Sequence, residues 1–334
     1  MKYTVDLDRI VNDILKKNIG ICPALEKRGQ NRPHTRWPWY QPIIELYDGL
    51  LPVDHWNVGL FLARLLLNES ALFPSPLYQL LFKSFVAAEG KFIMHYIPQN
   101  SHEERLAGHL VSELENGLFI VHDFFEETAA SIYGKTVPLN FYYADLSSNR
   151  QEKHTGADLG VIFYVNLPDL PKHIRIAAIQ AKKAGQTSAV IDAGQLDTIS
   201  KAYGDDAYYM FYDMSDNMSP MIRKAQDIKE DQGEAVGGNS FSYKRNGINH
   251  GTPLSMFLVF EMLLATKGEG NTFKNIWDAR DRLMNPTSWE RSYRNTNDRP
   301  SKVLAISLGG FDNNDDLQDL QVLFRGFFPR DEMM

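Results

Sequence analysis

The sequence predicts an α/β protein: a mixed sheet flanked by helices, with helical additions on its N- and C-terminal sides. Two observations carry this prediction. Short runs rich in β-branched and aromatic residues recur at 138–146, 161–165, 174–183, 207–212 and 303–308, as strands require. Apolar residues at helical spacing fill much of the chain before and between those runs. No internal repeat points to a solenoid.

Composition bounds the function. The chain has 334 residues, enough for a sizeable core and one to three domains. Hydrophobic residues make up 43% and charged residues 23%, the balance of an ordinary globular protein. The single cysteine, Cys22, excludes an intramolecular disulfide and a cysteine-based zinc site, and fits a reducing compartment. No leader pattern opens the chain, and no apolar run reaches about 18 residues, so a cytoplasmic protein without a membrane span is expected. A net charge of −7 argues against a surface that coats nucleic acid throughout, while leaving room for one basic cleft.

Residues 1–98 read as a helical N-terminal region. Val5, Leu7, Ile10, Val11, Ile14 and Leu15 keep a helical period. Between them and the next helical stretch, Lys27, Arg28, Arg32, His34 and Arg36 precede Trp37, Trp39 and Tyr40, a mixture that serves either a packed loop or a nucleic-acid contact. Residues 41–90 are largely helical, with Pro52, Pro74 and Pro76 as boundaries. Residues 99–228 read as the core. Ser101 is placed to cap a helix whose first turn holds Glu103 and Glu104, and Asn116-Gly117 is placed to end it. Residues 119–125 continue as a strand or a further apolar segment, and 147–155 as a polar loop containing Glu152 and His154. Residues 185–188 form a loop, and a helix begins near Gln195. Residues 229–334 read as an α-rich accessory region. It opens with a long Gly- and Asn-rich loop at 229–253 carrying Lys244 and Arg245, and continues with helices at 253–266 and 271–283.

The chemistry concentrates in the core. Asp158 stands where a strand begins, and the following strand carries Gln180 and Lys182. Residues i and i+2 of a strand share a face, so these two point the same way. If the two strands pair antiparallel through the turn at 168–171, Asp158 meets both at one end of the sheet. A hard divalent cation takes oxygen ligands: a carboxylate from Asp158 and an amide oxygen from Gln180. Lys182 is a point charge able to hold an attacking water or a transition-state phosphate. A solvated strand end and a turn aspartate account for the same residues without any chemistry.

Gly156-Ala157-Asp158 followed by Gln180-Ala181-Lys182 resembles the PD-(D/E)xK nuclease superfamily, in particular its Mrr-like branch with a QxK motif. The resemblance spans roughly residues 100–215. Ala157 stands where that family carries its weakly defined proline, and Gln180 stands where an acid is commoner. The resemblance implies a restriction-endonuclease-like sheet, with a helix and strand after the lysine strand. It implies a carboxylate from the first helix in an E-x-x-L-x-x-x-L pattern, which Glu103 fits with Leu106 and Leu110, and Glu104 less well. Gln195 is similar to a recurring helix-start glutamine of QxK nucleases, although a helix-cap role explains it equally. The expected site is therefore Asp158, Gln180, Lys182 and Glu103. Asp158, Gln180 and Glu103 would ligate Mg²⁺ or Mn²⁺, and DNA would be the substrate, with RNA an open alternative. A role in prokaryotic restriction or antiviral defence follows from the resemblance alone. So do a homodimer and a controlling ATPase or sensor partner, by analogy. A non-catalytic nucleic-acid-binding or interaction subunit that keeps the fold is the rival reading, because Gln180 is a weaker ligand than an acid.

Overall fold

A computed structural model describes residues 73–145, 157–214, 219–231, 234–237, 239–249, 251–264, 272–284 and 300–310. The helix expected at 3–18, the cation–aromatic stretch at 27–40, and Glu152 and His154 lie outside the described residues.

Helix α1 (Pro76–His95) starts where Pro76 takes the first helical position and the Ser75 hydroxyl accepts the Leu77 N–H at 3.3 Å. Helix α2 (Glu103–Tyr133) follows a short 3₁₀ turn, Ile97–Gln99. Two expectations change here. His102, not Ser101, is the N-cap, and its side chain makes no capping bond. Nor does the helix stop at Asn116-Gly117; it runs to Tyr133 and ends on Gly134, whose φ of 68° is the left-handed cap that glycine supplies. Gly117 serves a different purpose. A Cβ there would lie 2.8 Å from the Ser84 carbonyl oxygen, so its absence lets α2 approach α1 closely. Residues 119–125, read as a strand or apolar continuation, are therefore mid-helix.

The strands follow in order: β1 (Leu139–Asp145), β2 (Leu159–Val165), β3 (His173–Ala184) and β4 (Ser188–Asp192). Helix α3 (Ala193–Tyr203) and β5 (Ala207–Asp213) come next, as expected after the lysine strand. Then come β6 (Met221–Lys224), α4 (Ala225–Glu230), β7 (Glu234–Gly237), β8 (Ser240–Lys244), α5 (Arg245–Asn249) and β9 (Thr252–Pro253). The stretch expected as one long loop at 229–253 thus holds strands and a short helix, and 188–192 is a strand where only a loop was expected to lead on. Helix α6 (Leu254–Met256) runs into a π-helical segment, Phe257–Leu263. Helix α7 (Ile276–Met284) and β10 (Lys302–Leu308) complete the set.

Among the described residues, seven strands form one mixed sheet in the order β1-β10-β2-β3-β5-β6-β9, and β4-β8-β7 form a smaller one. Strand β2 pairs antiparallel with β3, and β3 parallel with β5. The C-terminal stretch expected to be α-rich supplies β10 to the interior of the large sheet, antiparallel to β1 and parallel to β2. Strand periodicity sorts the core into two layers. Leu159, Val161 and Phe163, with Ala177 and Ile179, face α1, α2 and the π-helical segment. Ile162 and Tyr164, with Ile176 and Ala178, face α3, α7 and β8. Each fully buried large side chain in these layers contributes roughly 1.5–3 kcal/mol.

Candidate active site

Strand register builds the site. Leu159 lies opposite Ile179, and the Asp158 N–H donates to the Ile179 carbonyl at 2.9 Å. Asp158 therefore stands across from Gln180, on the same face, as expected from an antiparallel hairpin. Its Oδ2 accepts the Ala181 backbone N–H at 2.8 Å and the Gln180 Nε2 at 2.5 Å. Gln180 is 3% exposed. Two residues on, the Lys182 Nζ lies 3.8 Å from Glu103 Oε2. Glu103 Oε1 accepts the Lys183 backbone N–H at 2.8 Å, which ties the start of α2 to the end of β3. All four expected residues thus converge at one end of the sheet.

Their electrostatics follow from crowding. Asp158 is pushed up to about 6 by burial, and the neighbouring Glu103 charge pushes the same way. The Ala181 N–H and the Lys182 and Lys302 ammonium groups oppose that rise. Two acids, Asp158 and Glu103, thus lie at one sheet end with two lysines, Lys182 and Lys302, acting on the same carboxylate. Beside it, the hydroxyls of Tyr209 and Tyr212 are buried without hydrogen-bond partners among the described residues. Tyr209 pairs with Gln180 in the β3–β5 register, and burial raises both phenols, with the Asp158 charge adding to the rise.

The donor set fits a hard cation in part. Carboxylate oxygens from Asp158 and Glu103 are the ligands Mg²⁺ and Mn²⁺ take. The Ala181 carbonyl lies close by, since the Gln180 Nε2 that reaches Asp158 also donates to it at 3.1 Å. Gln180 itself is placed differently from its expected role. Its amide nitrogen, not its oxygen, faces Asp158, and its Oε1 accepts from Gln195 Nε2 at 2.9 Å. To serve as a ligand its amide must turn over, exchanging partners with Gln195. Among the described residues, no group of three or more His, Cys, Asp or Glu forms a metal cluster. The donors at this strand end are two acids, an amide and a backbone carbonyl.

Glu103 and Glu104 separate cleanly. Glu103 faces β3, whereas Glu104 Oε1 lies 3.5 Å from the Lys302 Nζ. Gln195 sits at the third position of α3, where its N–H donates to the capping Asp192 carboxylate at 2.7 Å. Its side chain is spent on Gln180. Arg245, read as a candidate for nucleic-acid contact, has its guanidinium on the Asp213 carboxylate and donates to the Gly185 carbonyl at 3.1 Å. Three residues near the site were missed from sequence: Lys183, whose Nζ donates to Asn100 Oδ1 at 3.0 Å, Tyr209 and Lys302. The neighbouring Lys182 and Gln180 were a signal for the first two, through adjacency and the expected β5 strand. No local signal marked Lys302.

No protein-family model matches the chain, and neither a curated protein nor a solved structure matches it. Among the described residues, no helix is long and apolar enough to cross a membrane.

Proposed function

We propose that this protein is a metal-dependent nuclease that hydrolyses phosphodiester bonds, with DNA as substrate. The observation that carries the reading is the convergence of Asp158, Gln180, Lys182 and Glu103, from three separate elements, on one strand end. Asp158 and Glu103 would hold Mg²⁺ or Mn²⁺, and Gln180 would add its amide oxygen once turned. The bound ion would polarise the phosphate and make hydroxide available near neutral pH. Lys182, held by Glu103, would orient the water and stabilise charge building on the phosphate. With β4 set aside in the smaller sheet, the helix–strand–strand–strand–helix–strand order from α2 to β5 supports the PD-(D/E)xK resemblance, although β10 stands between β1 and β2. A cytoplasmic role in prokaryotic restriction or antiviral defence, as a homodimer or under an ATPase or sensor partner, extends that resemblance.

One observation favours a second reading, a non-catalytic nucleic-acid-binding or interaction subunit. The Gln180 amide N–H already satisfies Asp158 without a metal ion. Incubating the protein with linear and supercoiled double-stranded DNA in Mg²⁺, Mn²⁺ or EDTA, beside Asp158→Ala and Lys182→Ala variants, separates the two. Nicking that needs metal and falls at least about 100-fold in both variants supports the nuclease. DNA binding without cleavage supports the subunit, and RNA run in parallel decides the nucleic acid. Neither cleavage nor binding refutes both readings.

A further inference from the structure

Strand order places three strand ends side by side beneath the first turn of α2. Strand β2 begins just after Asp158, β3 passes it on one side with Gln180 and Lys182, and β10 flanks it on the other, beginning at Lys302. The two first-turn acids of α2 are then held from opposite sides. Glu103 meets Lys182 and the Lys183 N–H, both on β3. Glu104 meets the Lys302 Nζ at 3.5 Å, on β10. Lys302 is only 3% exposed, an unusual place for a lysine. Its stem runs against α2 at Gly108, where a Cβ would meet Lys302 Cε at 3.4 Å, an ordinary contact distance. The same corner fastens Asp158 by its backbone: the Lys302 N–H donates to the Asp158 carbonyl at 3.1 Å, and the Ser301 hydroxyl at 2.8 Å.

We propose that Lys302 is a positioning residue of the site, fixing the first turn of α2 over the start of β2 so that Glu103 and Asp158 are presented together. The inference rests on the nuclease reading above. A buried ammonium is costly, and an apolar side chain of similar volume would hold the same corner at least as stably. What an apolar side chain lacks is direction: the ammonium aims at Glu104, and Glu104 and Glu103 are consecutive residues of one rigid turn. Its charge also lies beside Asp158, where it favours the ionised carboxylate. The site is therefore completed by a strand remote in sequence from both the acid and the QxK motif.

The test is calorimetric titration with Mn²⁺ alone, alongside DNA cleavage across a Mn²⁺ series and circular-dichroism melts. Lys302→Met keeps the volume of the stem and removes the ammonium. Glu104→Gln removes the partner at a more exposed position, and keeps the question open to refutation if Lys302→Met does not fold. Groups that orient metal ligands typically contribute 10- to 100-fold in affinity. Each variant is expected to melt cooperatively, bind Mn²⁺ at least about 10-fold more weakly, and recover cleavage at high Mn²⁺. The double variant is expected to be no worse than the poorer single one, as for a coupled pair. A folded Lys302→Met, or a folded Glu104→Gln, with wild-type Mn²⁺ affinity overturns the proposal alone. Equal Mn²⁺ affinity in the wild type and in Asp158→Asn overturns the metal site itself, and the proposal falls with it.

Discussion

Replacing Gln180 by glutamate puts a second carboxylate against Asp158, and the structure sets the size of the effect. Gln180 is buried and its Nε2 lies 2.5 Å from Asp158 Oδ2. Two like charges about 3 Å apart, at an effective dielectric constant of about 20, repel by roughly 5 kcal/mol. The pair escapes by sharing a proton, but holding one at pH 8 on a carboxyl that ordinarily titrates near 4 also costs about 5 kcal/mol. Loss of the hydrogen bond to a charged acceptor accompanies either outcome. At pH 5 the cost largely disappears, because Asp158, pushed up to about 6, already carries the proton. The metal-free Gln180→Glu variant should therefore melt roughly 10 °C or more below wild type at pH 8, and close to it at pH 5. A divalent cation between the two carboxylates removes the repulsion, so Mg²⁺ should restore most of the loss. Differential scanning calorimetry at both pH values, with and without Mg²⁺, reads all four states. A metal-free variant within about 2 °C of wild type at pH 8 refutes the electrostatic reasoning. A large loss that Mg²⁺ leaves untouched refutes the metal site and favours the non-catalytic subunit.

Two further predictions concern the scaffold. Glu89 of α1 is 1% exposed, and its carboxylate accepts the Ser255 N–H at 2.7 Å. Burial nevertheless pushes it up from 4.5 to about 7. The folded state therefore holds the proton longer than the unfolded one, so its contribution is complete below about 4.5, is lost as pH rises to about 7, and stays constant above. The loss amounts to roughly 3 kcal/mol, and Glu89→Gln, which keeps an acceptor for Ser255, should abolish it. Urea melts at pH 5 and pH 8 check this; equal pH dependence in both proteins contradicts it. Gly117→Ala should destabilise by roughly 1–2 kcal/mol despite better helix propensity, because the new methyl meets the Ser84 carbonyl oxygen. A rise in melting temperature would show that α1 and α2 have room to separate.

What was legible in the sequence depended on chain neighbourhood. The two strands carrying Asp158 and QxK are joined by a short turn, so period-two alternation and hairpin geometry were enough to place Asp158 opposite Gln180. Where two causes leave the same local mark, the reading erred. Asn116-Gly117 has the form of a helix stop, yet Gly117 is there for the approach of α2 to α1, a contact that no window of sequence contains. The Gln180 amide reads as a ligand by its position, but its direction is set jointly by Asp158 and by Gln195 on a different element.

Lys302 shows why that limit matters for chemistry. A lysine heading the apolar run 303–308 looks the same whether it ends a strand in water or lies under a helix. The apolar run predicts that a strand forms; it says nothing of which strands it joins. Only insertion between β1 and β2 turns that lysine into a buried cation beside Glu104 and Asp158. The placement of Asp158 opposite Gln180 could thus be read from spacing, while the cation supplied by sheet order could not. The same logic makes the C-terminal strand part of the candidate site: until β10 pairs with β2, the Asp158 carbonyl lacks both of its donors from that strand's start, the Lys302 N–H and the Ser301 hydroxyl.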